Sequence, residues 1–262
     1  MFWVKVTIET FSVIIYYIYM KQSLSIKNII LLLTLCSALL ISCEARINGT
    51  LAADGSASLT VNMSLFDRMA SLIQRISEVG GNGEQILNGP DIARSMAAAP
   101  GIASVTLRNT SSSALNGQVR ISQISDFLSA GMNAGAGQRG FITFERRGAG
   151  GRIEINVDRS NSRKILAMLS PQITDYLEAL AAPIVLDEEL SKTEYLELIS
   201  SFYHRNIADE IARSTINVAI EFPGRITSAA GGTFSGRRAV FNIPLVDLLV
   251  LETPLRYEVT WN

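Results

Sequence analysis

Between residues 45 and 65 the chain alternates almost without a break. Ala45, Ile47, Gly49, Leu51 and Ala53 are apolar or small, Asp54-Gly55 follows, and Ala57, Leu59, Val61, Met63 and Leu65 then alternate against Ser58, Thr60, Asn62 and Ser64. A period of two sends every second side chain to the same face, so both runs read as half-buried strands. Asp-Gly between them predicts a hairpin with a type I′ turn. The period then changes: Leu65, Met69, Leu72, Ile73, Ile76 and Val79 recur at three and four, until Gly80-Gly81. That is an amphipathic helix laid on the hairpin.

The C-terminal end carries the same period of two. Ile216, Val218, Ile220 and Phe222 alternate up to Pro223-Gly224, Ala239 to Ile243 reads as another strand, and Leu255, Tyr257, Val259 and Trp261 alternate again. The middle mixes both periods. Glu84 to Ala98 reads as a helix broken near Gly89-Pro90, and Ile102 to Leu107 and Gln118 to Ile121 read as strands with a turn at Asn116-Gly117. Asp126 to Ala130 reads as a helical turn, and Phe141 to Arg146 pairs with Arg152 to Asp158 across Gly148 to Gly151. From Ser162 to Asn206 the signals are helical. Ser170-Pro171 looks like an N-cap with proline at the first helical position, and Ser191 to Glu194 (SKTE) matches a capping box. Hairpins interleaved with helices predict an α+β fold, a mainly antiparallel sheet with packed helices and a helical insert at about 160–213.

Upstream of these elements lies a leader. Ile29 to Ile41 (IILLLTLCSALLI) is uncharged and thirteen residues long, and Lys21 and Lys27 precede it. A spanning helix needs about 20 apolar residues, whereas a run this short suits the core of a signal peptide. Leu40, Ile41, Ser42 and Cys43 then resemble the lipobox of bacterial lipoproteins. The resemblance implies cleavage between Ser42 and Cys43, acylation of Cys43, and a mature envelope domain of residues 43–262 anchored to a membrane. Two or three acyl chains hold stably, since each buried methylene contributes about 0.8 kcal/mol. Residues 1–42 are longer than an ordinary leader, and Met20 is the expected true start; the rival is a further membrane-embedded segment at Val13 to Tyr19. Which membrane carries the anchor stays open, as does the oligomeric state.

Charge and cysteine usage narrow the function. The 262 residues are 48% apolar and 18% charged, with 23 basic against 24 acidic side chains, which excludes disorder and gives no basic excess for nucleic acid. Removing residues 1–43 takes away three lysines and one glutamate and leaves 20 basic against 23 acidic. Cys36 leaves with the leader, so neither a disulfide nor a cysteine-based metal site is expected. Eighteen of the remaining bases are arginine, with only Lys164 and Lys192 besides. Arginine grips phosphate bidentately, which suits anionic head groups, although coding-sequence base composition accounts for such a bias as well.

Catalytic motifs fail on context. Gly135 to Gly140 (GAGQRG) fits G-x-G-x-x-G but lies between a short helix and a strand, the reverse of a dinucleotide site. P-loop, nucleophile-elbow and S-x-x-K signatures do not occur. His204, the single histidine, sits near a helix end where the dipole favours an imidazolium. Asp187, Glu188 and Glu189 read as a solvated loop. Glu145 and Glu154 are placed to face each other across a hairpin, the one carboxylate pair worth testing. No catalytic residue, cofactor or metal is expected, and an envelope hydrolase would need a cleft joining His204 to carboxylates.

One apolar stretch stands out. Ile243 to Leu251 (IPLVDLLVL) has Asp247 as its only charge. It reads as a buried strand or helix edge, or else as the lining of an acyl-chain groove, with Ile243, Leu245, Val246, Leu248 and Leu249 facing the ligand. Ala45 to Leu65 and Glu221 to Val240 (EFPGRITSAAGGTFSGRRAV) together resemble the LppM-like domain of bacterial envelope lipoproteins. The resemblance implies an α+β envelope domain that binds a lipid or lipoglycan and offers no catalytic residues. The chain departs from it in its helical insert and in lacking a C-terminal membrane helix. The expected function is that of a non-enzymatic, membrane-anchored envelope lipoprotein binding a lipid, an amphiphile or an envelope partner, or else serving as a structural, protein-interaction lipoprotein.

Overall fold

Alternation at both ends of the chain does produce strands: the runs in 45–64 and 215–244 meet in one sheet, while that in 255–261 joins a second. In the computed structural model the described residues are 44–76, 87–131, 142–148, 150–162, 180, 183 and 188–262. Strands β1 (Glu44–Leu51) and β2 (Ala57–Ser64) form the hairpin, β3 (Ile102–Ser111) and β4 (Ala114–Ile121) a second one, and β5 (Ile142–Arg147) and β6 (Gly150–Val157) a third. The C-terminal strands are β7 (Thr215–Glu221), β8 (Ile226–Ala230), β9 (Thr233–Ser235), β10 (Arg238–Pro244) and β11 (Leu255–Trp261). Among the described residues six helices accompany them: α1 (Asp67–Ile76), α2 (Gly89–Ala97), α3 (Ile124–Gly131), α4 (Lys192–Tyr203), α5 (Arg205–Arg213) and α6 (Leu245–Val250). Residues 42–262 make one compact unit, and the α+β class is as expected.

The strands form two sheets. The larger runs β3-β4-β2-β1-β7-β10-β9 and the smaller β5-β6-β11-β8. Among the described residues every pairing is antiparallel except β1 with β7, where Ala45 lies beside Ile216 and Ile47 beside Val218. That parallel contact places the first strand of the domain mid-sheet, stitched to a strand some 170 residues later in sequence. In its C-terminal part the chain changes sheets three times, at Pro223-Gly224 between β7 and β8, at Gly231-Gly232 between β8 and β9, and through α6 between β10 and β11.

Three apolar clusters hold the layers. Between the sheets, Trp261 of β11 lies 4.9 Å from Phe222 and 6.2 Å from Phe144, ring centre to ring centre, and Phe241 meets Tyr257 edge-on at 5.6 Å. A second cluster joins α1, α4, α5 and α6 through Met69, Leu72, Tyr195, Ile199, Ile211 and Val250. A third puts Leu87 and α2 against Leu107 and Leu115. On α1, Met69 and Leu72 are buried where their spacing predicts, and on α4 Tyr195 and Ile199 are buried four residues apart, while Phe202 of the same apolar run is 75% exposed.

Several turns differ from expectation. At Asp54-Gly55 only Gly55 has positive φ, at 90°, whereas type I′ needs it at both central residues. Gly55 N–H donates to the Ala52 carbonyl and Ala52 N–H to Ser56, so a type I turn closes through a left-handed glycine, with the Asp54 carboxylate accepting from Ser56. Asn116-Gly117 is not a turn; the hairpin closes at residues 112–113, and Gly117 lies inside β4 opposite Leu107. A Cβ there would stand 1.9 Å from the Thr106 carbonyl oxygen, which explains a glycine in mid-strand. Gly89-Pro90 does not break a helix but starts one. Asn88 caps it by accepting from the Asp91 N–H at 3.2 Å, and proline suits the first turn because its missing N–H is not needed there. Strands β8 and β9 carried no expectation; both are short and mostly exposed, so no alternation marks them.

Candidate functional site

The apolar segment 243–251 divides between the cores. Ile243 ends β10 and packs against the inter-sheet cluster, while Val246, Leu249, Val250 and Leu251 are buried among α1, α4 and α5. Leu245 and Leu248 are half-buried. Pro244 cannot donate to a further strand and Leu251 closes α6 with φ 49°, so the segment turns helical just where the strand ends. Its single charge, Asp247, meets Lys192 Nζ at 3.0 Å, and this contact raises the ammonium pKa. Val246 and Leu249 are therefore already occupied by protein side chains. Cys43 and Ser42 lie outside the described residues, as do Gly135 to Gly140 and the Ser170-Pro171 cap.

A cleft of about 510 Å³ opens beside α6, lined by residues 158–160, 189–191, 251, 252 and 254. Arg159 enters it from the end of β6. Its guanidinium donates to the carbonyls of Glu188 (2.6 Å), Val250 (3.3 Å) and Leu251 (3.4 Å), satisfying the C-terminal end of α6 where the helix dipole favours a cation. Ser160 Oγ donates to Asp158 at 2.5 Å. Opposite, Ser191 and Glu194 form the capping box expected from SKTE, and Glu252 accepts from the Lys192 backbone N–H at 3.1 Å. The Ser191 contacts hold the Glu194 carboxyl below its ordinary pKa. Arg159, Ser191 and Glu252 of the cleft are thus engaged in closing helix ends.

His204 does not line that cleft. It is both the last cap of α4 and the first of α5, with φ 109°, and Nδ1 accepts from the Asn206 N–H at 3.4 Å. The imidazole thus works as an N-terminal acceptor for α5, a role the sequence did not suggest. The carboxylate pair proposed for the β5–β6 hairpin does not form either. The register sets Glu145 opposite Arg152 and Glu154 opposite Thr143. Arg152 instead bridges Glu154 at 2.8 Å and grips Glu258 through both Nε and Nη2, raising its own pKa and lowering that of Glu258. Among the described residues, no group of histidines, cysteines and carboxylates could hold a metal ion, and no helix is long and apolar enough to cross a membrane.

Glu210 escaped the sequence reading. It lies on α5, 7% exposed, and accepts from the Met69 N–H of α1 at 2.9 Å, with Arg68 Nε 3.9 Å from its other oxygen. Burial raises its pKa. The available signal is its position three residues after Ile207, within the buried face of α5.

The larger sheet leaves one face open. Across β3, β4, β2, β1, β7 and β10 the register aligns Ser104, Arg120, Ser58, Thr50, Glu221 and Arg238. The next row is Thr106, Gln118, Thr60, Asn48, Ala219 and Val240, and the third is Arg108, Asn116, Asn62, Arg46, Asn217 and Asn242. Fifteen of these eighteen residues are exposed; Ala219 is buried and Asn217 and Val240 are half-buried. Eleven carry hydroxyls or amides, four are arginine and one is glutamate. Arg238 donates to Asn48 at 3.3 Å, and Glu221 faces Arg237 at 3.6 Å. Among the described residues, Arg108 and Arg120 meet no carboxylate.

The sequence matches no protein-family profile and no curated protein. Among solved structures, the chain is similar to the folded domain of the Mycobacterium tuberculosis LppM protein, determined by NMR. The two are 12% identical, the match covers 84% of this chain and 88% of that one, and the TM-score is 0.37. A fit that loose transfers neither function nor site residues.

Proposed function

We propose that the chain is a non-enzymatic envelope lipoprotein, cut between Ser42 and Cys43 and held on a membrane by acyl chains on Cys43, whose domain binds an amphiphile or an envelope partner. The observation that carries the reading is the position of β1. Every described strand of the seven-stranded sheet lies downstream of the lipobox, β1 spanning Glu44–Leu51, so cleavage between Ser42 and Cys43 removes none of them. The helix-end roles of Arg159, Ser191 and His204 fit a domain without a catalytic relay.

Feeding cells an alkyne-tagged palmitate and determining the mass of the mature N-terminus tests the anchor. The expected product starts at Cys43 with a diacylglyceryl group, and Cys43→Ala abolishes the label and accumulates the precursor. Unlabelled wild-type protein that retains residues 1–42 overturns the reading. A protein-interaction role is the second reading. Phe202 is 75% exposed and Leu198, one turn earlier on α4, is 39% exposed, an apolar pair on an otherwise polar helix face. Phe202→Ser would abolish crosslinking to a protein partner and leave any lipid binding intact.

A further inference from the structure

The open face of the seven-stranded sheet has a charge opposite to the rest of the domain. The eighteen residues of its three rows hold four arginines and one glutamate, three net positive charges, while residues 43–262 as a whole carry three net negative ones. Everything outside these rows is therefore net negative by six. With strands about 4.8 Å apart, the six-strand grid spans roughly 24 Å; Arg108 and Arg238 stand at opposite corners, and Arg120 and Arg46 lie in the outer rows on β4 and β1. Between them stand amides and hydroxyls, which donate and accept hydrogen bonds without contributing apolar surface. Such a face is built for a flat, hydrated and anionic layer and not for an acyl chain.

We infer that this face docks on the phosphate-bearing head groups of the membrane that carries the anchor. The inference rests on the acylation of Cys43 proposed above. Arg46 follows Cys43 by three residues, about 10 Å of extended chain, and β1 runs through the middle of the grid. The anchor therefore brings the face within reach of head groups without a linker, and docking becomes an intramolecular event with a high effective concentration. Arginine takes phosphate bidentately, and the amides and hydroxyls take the water and polyol groups around it. Each arginine near an anionic leaflet contributes roughly fivefold to the docking equilibrium.

The test uses the full chain, expressed and processed in cells, purified from their membranes and reconstituted in phosphatidylcholine vesicles with or without phosphatidylglycerol. A nitroxide at Thr60→Cys, in the centre of the grid, reports access of a water-soluble relaxing agent. Phosphatidylglycerol should shield that label. High salt, or the double variant Arg108→Gln/Arg120→Gln, should expose it again, the variant lowering the docking equilibrium roughly 25-fold. A label at Phe202→Cys on α4 should not respond. Equal access in both vesicle types overturns the inference. Shielding that follows protein density and ignores lipid charge also overturns it, because a second copy of the chain then covers the face. The N-terminal mass of the same sample separates the two readings. An acylated Cys43 with an unshielded face defeats the docking alone, and an unacylated chain with a shielded face defeats the anchor alone.

Discussion

Glu210 offers the sharpest test of how the helical layer is joined. Its carboxylate supplies the acceptor for Met69 N–H at 2.9 Å, closing the first turn of α1 from a helix 141 residues downstream. Glu210→Ala removes that acceptor and leaves a buried N–H unpaired, which costs about 1–3 kcal/mol. It also removes the Cγ methylene, at about 0.8 kcal/mol, for a loss of about 3 kcal/mol in all. Glu210→Gln keeps a carbonyl oxygen at the same place and discards only the charge. Burial already raises this carboxyl above its ordinary pKa of 4.5, so the folded state favours the neutral form. In the window between that ordinary value and the raised one, folded protein holds a proton that unfolded protein has released. Raising the pH through the window therefore weakens the wild type. Glu210→Gln should match or exceed wild-type stability at pH 7, and the difference between the two should vanish as the pH falls below the window. Urea unfolding followed by far-UV circular dichroism across pH 4–8 reads both curves, and subtracting them isolates Glu210 from every other titrating group. If Glu210→Gln falls as far as Glu210→Ala, the charge acting through Arg68 holds the junction and the capping argument is refuted.

Two further outcomes follow from the packing and the backbone. Trp261→Ala, which removes the ring held between Phe144 and Phe222, should cost about 3–5 kcal/mol and lower Tm by several degrees in a thermal melt. His204→Gly should gain up to about 1 kcal/mol, because φ 109° is glycine territory and the cap it gives up, at 3.4 Å, is weak; a loss above 1 kcal/mol would mean that the Nδ1 cap outweighs the strain.

What could be read from the sequence was whatever repeats locally. β1 and β2 show their period of two because one face is buried and the other is the polar grid. The SKTE box is local too, and it forms as written. Pairings between distant segments leave no such mark: nothing in Ala45 to Leu51 announces β7 as its neighbour. The arginines illustrate the same limit. Arg46, Arg108, Arg120 and Arg238 are scattered over 193 positions in sequence, and only the register of five strand pairs sets them on one surface. Dipeptide signals misled where tertiary contact decides. Asn116-Gly117 has turn chemistry, yet the close approach of the Thr106 carbonyl claims its glycine for a strand. Asp54-Gly55 keeps its turn but changes type, because the strands end one residue earlier than a two-residue loop requires. Glu145 and Glu154 fail as a pair for a similar reason, since the β5–β6 register inserts Arg152 between them.

The parallel seam between β1 and β7 also governs the order of events during synthesis. β1, β2 and β4 lie within the first half of the chain and can pair as soon as residue 121 has emerged. The other edge of β1 must wait for residues 215–221, and at roughly 5–20 residues per second that delay lasts several seconds. Throughout it, a row of unpaired N–H and C=O groups on an alternating apolar strand is open to any other extended segment. A chain cut short before residue 215 would never close that edge. Truncated products should therefore aggregate or be degraded rather than persist as a smaller folded domain.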